Sequence, residues 1–181
     1  MQTIDQFIGN SCQRHSGRIA LQHKTRGRWH DLSFKDLWAQ VESLAFVLRE
    51  NDLQICGHAA LLGSSSPRWV IAYLSVLRAG AVAVPIDKEL KAAELRHVLT
   101  DSDTTHIFVD TAQFDTLLEI IGDLPKLKKV ILLDDDPRSS EEDYQAAEIL
   151  DQLATAWREL TSTVEIPEEK KPQIIAINRL D

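Results

Sequence analysis

The fold is decided by the stretch Val76-Leu77-Arg78-Ala79-Gly80-Ala81-Val82-Ala83-Val84-Pro85-Ile86-Asp87. The segment that leads into it, Arg68–Ala79, is apolar on almost every side, which predicts a helix buried on more than one face. Gly80 is the residue type that most often ends a helix, because glycine adopts a left-handed backbone at little steric cost. Ala81–Val84 is then predicted to be a buried strand that ends at Pro85. A helix joined to a strand in this way is typical of parallel sheets.

The alternation of helix and strand extends in both directions from this stretch. Upstream, the predicted elements are a helix at Ile4–Cys12 with Ile4, Phe7 and Ile8 on one face, a hairpin of strands 19–23 and 28–32 around Arg26-Gly27, a helix at Phe34–Glu50 after the N-cap Ser33, and a strand at His58–Leu62. Downstream, they are a helix at Lys91–Leu99, a strand at His106–Val109, a helix capped by Asp110 or Thr111 that ends near Gly122, a strand at Lys129–Leu133, a helix at Glu141–Leu160 and a strand at Ile174–Ile177. This order predicts an α/β fold, a mostly parallel sheet with helices on both faces. We expect residues 1–181 to form a single α/β domain in which 161–173 are a polar connector before the last strand.

The composition is that of an ordinary globular protein, with 44% hydrophobic residues, 27% charged residues and a formal net charge of -8. This acidic balance argues against a nucleic-acid surface, which needs a clustered basic face. No signal peptide is visible, and no apolar run approaches the ~20 residues of a membrane span. Cys12 and Cys56 are far apart and have no CxxC partner, so both are expected to be reduced thiols. We therefore expect a cytoplasmic protein that binds no nucleic acid and has no membrane span.

Four patterns could carry chemistry, and each has a plainer explanation. The segment Gly63–Ser66 lies between a strand and a helix, where phosphates often bind, but it lacks the lysine of a P-loop and the glycines of a dinucleotide fingerprint. Helix capping by Ser66 is the favoured interpretation. His15, His23 and His30 lie on different predicted elements without metal-ligand spacing, so no metal site is expected. Cys12 has no histidine partner that would activate it.

A strand that runs into Asp134-Asp135-Asp136 resembles the acidic, magnesium-holding start of a receiver domain. Such a domain also needs a phospho-accepting aspartate and a lysine at the ends of later strands. Only 45 residues follow Asp136, and most are predicted to form one helix. The acids are therefore interpreted as a solvated loop.

Four segments, in order, resemble the amino-terminal part of the adenylate-forming superfamily, which comprises acyl-CoA synthetases, luciferases and peptide-synthetase adenylation domains. Leu32–Leu37 is similar to the L-[ST]-[YF]-x-[ED]-L segment that opens the first large helix of that superfamily. Ser66–Gly80 is similar to its N-S-x-x-W…A-x-L-A-x-x-x-A-G helix, and Ala81–Asp87 to the A-x-x-V-P-[IL]-[DN] segment that continues it. Glu94–Ser102 is similar to the E-[LI]-x-[HY]-[IV]-L-x-[DH]-[SA] helix.

The resemblance implies the amino-terminal lobe of an acyl-CoA synthetase-like (AMP-forming) fold, which activates a carboxylic acid with ATP and then forms a thioester. ATP, Mg and coenzyme A are implied for the full-length family. The family's T-S-G-T-T-G-x-P-K-G loop should follow a strand like Ile174–Ile177, whereas this sequence continues Asn178-Arg179-Leu180-Asp181. No position matches a catalytic, cofactor-binding or metal-binding residue of the family, so none is assigned. The chain alone is expected to be catalytically incomplete and to bind no cofactor by itself.

The mixture of polar and aliphatic residues resembles a fatty-acid or aryl-acid CoA ligase more than a peptide-synthetase domain. An alternative stays open, a non-catalytic binding or scaffold module that pairs with a partner chain. An incomplete sheet would leave one edge unpaired, and natural proteins cover such edges. The expected partner is the remaining part of the ligase, or a second copy that associates through the open edge.

Overall fold

The computed structural model describes residues 2–25 and 27–133, together with the backbone of one further strand at 173–176. In chain order its elements are α1 (Ile4–Arg14), β1 (Ile19–Thr25), β2 (Arg28–Ser33), α2 (Phe34–Glu50), β3 (His58–Leu62), α3 (Pro67–Arg78), β4 (Val82–Ile86), α4 (Ala92–Asp101), β5 (His106–Val109), α5 (Thr111–Leu118), a 3₁₀ turn (Ile121–Asp123), β6 (Lys129–Leu132) and β7 (Gln173–Ala176). The predicted helix at 141–160, the acidic segment 134–136 and most of the connector 161–173 lie outside the described residues.

A parallel sheet in the order β4-β3-β5-β6-β7 forms the centre of the fold. Its registers include Leu61↔Pro85, Leu61↔Phe108 and Phe108↔Ile131, all parallel. The predicted α/β class is confirmed, as is the last strand, which pairs with β6 through Val130↔Ile174. The hairpin is a separate antiparallel sheet of β1 and β2.

Apolar residues fill both faces of the sheet, because successive side chains of a strand point to opposite sides. Leu61, Phe108 and Ile131 pack against α2 and α3 on one face. Leu62, Val109 and other residues of the same strands pack against α4 and α5 on the opposite face. The predicted stripe of α2 is buried as expected, through Leu37, Val41, Leu44, Ala45 and Leu48.

Helix α1 packs only partly through the face that the sequence predicts, because Ile8 packs against the core but Ile4 and Phe7 do not. Ile4 and Phe7 are 59% and 60% exposed, whereas Gly9 and Cys12 are buried. A Cβ atom added to Gly9 would lie 2.8 Å from Cζ2 of Trp38. The missing side chain therefore lets α1 approach α2 closely, and this contact overrides the apolar face of Ile4 and Phe7.

Strand β4 differs from the prediction in both length and burial. It continues through Pro85 to Ile86 and forms an edge of the sheet, where Val82 is 42% exposed. Proline is tolerated there because an edge strand need not donate on its outer side. Gly80, at φ 81°, ends α3 as predicted. The helix predicted to end near Gly122 ends at Leu118, and a separate 3₁₀ turn contains Gly122.

Candidate functional site

The order of the strands creates a crevice at the carboxyl ends of β3 and β5. The chain leaves β3 for the outer strand β4 and then returns to β5 on the other side of β3. Where connections diverge in this way, the loops leave a gap at the sheet edge, which is the usual ligand position in open α/β sheets. Here the gap lies between the β3–α3 loop at Gly63 and the β5–α5 junction at Asp110.

A cleft of about 580 Å³ opens at this edge. Its walls come from the hairpin, the β3–α3 loop, helix α3 and the ends of β5 and β6; among the lining residues are His23, Lys24, Asp31, Ser64, Ser65, Ser66, Arg68, Asp110 and Leu133. Both polar and apolar side chains therefore face the cleft, a mixture that suits binding of an organic molecule with a polar group.

The Gly63–Ser66 loop is organised by protein groups. The Ser66 side chain accepts a hydrogen bond from the Trp69 amide at 3.1 Å, and Pro67 occupies the first turn of α3, so the capping interpretation is confirmed. The Ser64 amide donates to Oδ2 of Asp110 at 2.6 Å. Asp110 is also the N-cap residue of α5, one of the two alternatives that the sequence predicts. Its side chain makes no capping hydrogen bond to that helix.

The basic groups around the cleft also contact protein atoms. Nη1 of Arg68 donates to the Leu133 carbonyl at 3.4 Å, and Nζ of Lys88 lies 3.5 Å from Oγ of Ser64. Lys24 lies over the exposed ring of Trp29 at 5.9 Å from its centroid. Arg68 thereby connects α3 to the residue that follows β6, while Asp31 and Asp110 contribute carboxylates to the same cleft.

Two histidines on the opposite strands of the hairpin lie side by side. His23 and His30 are register partners whose rings stack at 5.1 Å. The register Thr25↔Arg28 implies this pairing, since residues equidistant from a hairpin turn face each other. The sequence pattern alone places the two histidines on different elements without relating them. His15 contacts Phe34 instead. Among the described residues, no group of three or more His, Cys, Asp or Glu could hold a metal ion.

The two cysteines are both free, and they differ in environment. Cys12 is 2% exposed, and burial raises the pKa of its thiol. Cys56 is exposed, in a turn at φ 61°. A buried thiol of raised pKa is a poor nucleophile.

The family model for AMP-binding enzymes matches residues 9–177. Among curated proteins, the chain is 33% identical over 137 residues to the long-chain-fatty-acid–CoA ligase heimdall of Drosophila melanogaster, covering 73% of this chain and 20% of that protein. It is 24% identical to the long-chain-fatty-acid–CoA ligase ACSBG1 of Rattus norvegicus, over 96% of this chain and 23% of that one. The chain therefore spans about a fifth to a quarter of these relatives.

Solved structures show the same fold. The adenylation domain of a carboxylate reductase from Mycobacterium chelonae superposes with a TM-score of 0.75 at 15% identity, over 96% of this chain and 28% of that one. The anthranilate CoA ligase AuaEII, solved in complex with anthranoyl-AMP, gives 0.67 at 20% identity, over 75% of this chain and 26% of that one. In the described part of this chain, no helix has the length and hydrophobicity that a bilayer crossing requires.

Proposed function

Because the chain belongs to the AMP-binding enzyme family, we propose that it is the amino-terminal part of an AMP-forming acyl-CoA ligase. In this reaction ATP activates a carboxylic acid as an acyl-adenylate, and the acyl group then passes to the thiol of coenzyme A. The similarity to ligases that carry out thioester formation supports the proposal.

The observation that carries the proposal is the position of β7. It is parallel to β6, so its carboxyl end lies at the same edge of the sheet as the cleft. The resemblance implies a Gly/Ser/Thr-rich triphosphate loop directly after this strand. A loop that begins there would bring the triphosphate to the cleft edge near Arg68, whose guanidinium donates to the carbonyl of Leu133 directly after β6.

We propose that the chain supplies walls for binding and that the groups for adenylation lie elsewhere in the ligase. The resemblance implies that these groups are a loop lysine, a magnesium-holding carboxylate and a late lysine that stabilises developing charge. We propose that ATP, Mg and coenzyme A are bound only when the rest of the ligase is present. The 181 residues would then be catalytically silent alone.

A fatty acid is the proposed substrate class. The supporting observation is that two of the relatives named above are long-chain-fatty-acid–CoA ligases. The proposed location is the cytoplasm, where ATP and coenzyme A are available.

The proposed partner is the remaining part of the ligase rather than a second copy joined through β4. Val82 donates its amide to the Gly57 carbonyl at 2.8 Å, so its polar groups face β3. By alternation, Ala83 and Pro85 face outward, and Pro85 has no amide hydrogen to offer a new strand. This edge is therefore a poor template for a scaffold that pairs by strand addition.

The test is ATP–pyrophosphate exchange with a panel of fatty and aryl acids. One sample is the 181-residue chain, and the other is a chimera in which residues 1–176 replace the aligned segment of an active long-chain ligase. We expect no exchange from the chain alone and acid-dependent exchange from the chimera. The matched control is the same chimera with the lysine of the recipient's triphosphate loop replaced by alanine, which should abolish exchange.

Exchange by the chain alone would contradict the proposed incompleteness. A folded chimera that binds ATP but gives no exchange with any acid would contradict the proposed ligase function.

A further inference from the structure

The rings of His23 and His30 have the spacing of a chelating pair. The two residues are register partners on β1 and β2, and their ring centroids are 5.1 Å apart. Two imidazoles that bind one tetrahedral ion through bonds of about 2.1 Å likewise have centroids about 5 Å apart. The spacing of the histidines along the chain predicts no metal site, because this pairing depends on the register of the hairpin.

A small rotation separates the observed arrangement from a chelating one. The two rings are stacked, with 24° between their planes, so their nitrogens do not point to a common position. Convergence requires rotation about χ2, and for histidine this torsion is broad rather than confined to narrow wells. His30 is exposed, so its ring can turn without displacing core side chains.

One ring nitrogen of the pair is left unsatisfied. Nδ1 of His23 is buried, and it has no hydrogen-bond partner within the part of the chain that the structure describes. A buried polar atom without a partner costs free energy. Rotation of the ring toward a metal ion removes this cost, because the nitrogen then bonds to the ion or meets water. The stacked arrangement is therefore the one that a bound ion would replace.

The charges near the pair do not prevent a cation from binding. Lys24 lies on the opposite face of the hairpin, because side chains alternate along a strand, and its Nζ is 5.9 Å from the centroid of the Trp29 ring. Arg28 lies two residues before His30 on the same face, but its side chain is exposed and its charge is screened by solvent. His23 also lines the cleft, so an ion held there would lie at the hairpin wall of that cleft.

We propose that His23 and His30 form a chelating site for a divalent transition metal ion. Imidazole nitrogens favour Cu²⁺, Ni²⁺ and Zn²⁺, whereas Mg²⁺ prefers oxygen ligands. An ion with two protein ligands keeps further positions for water or for a carboxylate of a molecule in the cleft. This inference concerns the chain by itself and does not depend on the proposed ligase function.

The first test is calorimetric titration with Ni²⁺ of the chain without a polyhistidine tag. Cys56 is an exposed free thiol that would compete for the metal, so every sample carries Cys56→Ser. We expect saturable binding of Ni²⁺ and none of Mg²⁺. His23→Gln and His30→Gln should each weaken Ni²⁺ binding by about tenfold or more, because the second bond of a chelate forms at a high effective concentration.

Two control variants separate the pair from histidine content. His97→Gln removes an exposed histidine from α4 and should leave Ni²⁺ binding unchanged. Trp29→His combined with His30→Gln keeps the number of histidines but places the new one on the opposite face of β2. This double variant should bind as weakly as His30→Gln. Absence of saturable Ni²⁺ binding, or full affinity in a folded His23→Gln or in the folded double variant, would overturn the proposal.

The second test needs no substitution at the pair. Zn²⁺ is diamagnetic, so its binding can be followed through the NMR signals of the histidine rings. The signals of His23 and His30 should shift together and saturate at the same Zn²⁺ concentration, while that of the buried His106 should stay in place. Saturation of only one of the two rings, or a shift of neither, would contradict chelation by the pair.

Discussion

The imidazole Nε2 of His106 lies 3.0 Å from the backbone carbonyl oxygen of Asn51. A carbonyl cannot donate, so Nε2 carries the hydrogen. The other ring nitrogen, Nδ1, lies 2.9 Å from the hydroxyl of Thr105, which can donate to it when the ring is neutral. His106 is 0% exposed. This buried ring therefore joins the first residue of β5 to the residue that follows α2.

Burial is the largest influence on His106, and it lowers the pKa of the ring below its ordinary value of 6.5. The carbonyl of Asn51 opposes this shift, and Lys128 and Lys129 add to it. The unfolded chain consequently binds a proton at a higher pH than the folded protein does. The contribution of His106 to the free energy of unfolding is therefore fully present above pH 6.5. It is lost as the pH falls from there toward the lower pKa of the folded protein.

Urea unfolding at several pH values checks this prediction. His106→Gln should flatten the dependence of the unfolding free energy on pH in this window, because no ionisable ring remains at the site. His97→Gln, an exposed position on α4, serves as the control and should leave the dependence in place. If the unfolding free energy of His106→Gln depended on pH in the same way as that of the unaltered protein, His106 would not be the source of the dependence.

Gly80 is predicted to be needed for its backbone conformation rather than for space. Its φ is 81°, and a Cβ there would meet nothing closer than Ile55 at 3.7 Å. Gly80→Ala should therefore lower the unfolding free energy by about 1–2 kcal/mol, the cost of a left-handed conformation for an L-residue. Gly122→Ala, where a Cβ meets nothing within 4 Å and φ is not left-handed, should change it by less than about 0.5 kcal/mol. Denaturant melts of the two variants make the comparison, and equal effects would show that the φ of Gly80 is not the cause.

Phe108 is predicted to be a major contributor to the core on the α2–α3 face. It is 0% exposed and lies between Leu61 and Ile131 in the sheet registers. Phe108→Ala should cost about 3–5 kcal/mol, because it leaves a cavity in addition to losing buried apolar area. The matched control is Phe46→Ala, whose ring is 65% exposed on α2, with an expected change within about 0.5 kcal/mol. Chemical denaturation measures both, and a small loss for Phe108→Ala would mean that the face repacks.

Local patterns predicted the elements whose partners lie nearby in sequence or on a single face. The stripe of α2 repeats every three to four residues, and the bounds of β3 match the apolar run His58–Leu62. Ser33 and Ser66 cap their helices as their positions indicate. These features depend on periodicity and hydrogen bonding within a few residues, which a sequence displays directly.

Features set by strand order or by close packing were not visible in the sequence. An apolar run such as Ala81–Val84 has the same pattern in a central strand and in an edge strand. The sequence therefore does not show which of the two it forms, since the order of strands is a long-range property. The packing of Gly9 on Trp38 and of Asp110 on Gly63 likewise joins segments that are far apart in the chain. Of the candidate cleft, sequence reasoning located only the Gly63–Ser66 loop.

Pro85 is predicted to protect the sheet from strand addition at β4. Because Val82 bonds toward β3, Pro85 occupies one of the outward-facing positions of the edge, where its ring replaces an amide hydrogen. Pro85→Thr restores that donor in a residue type that favours strands, and we expect concentration-dependent association in sedimentation velocity. Val82→Thr is the matched control, since it places the same residue type on the same strand without adding an outward donor. A Pro85→Thr protein that sediments like the unaltered chain at every concentration would show that Pro85 is not what prevents strand addition at β4.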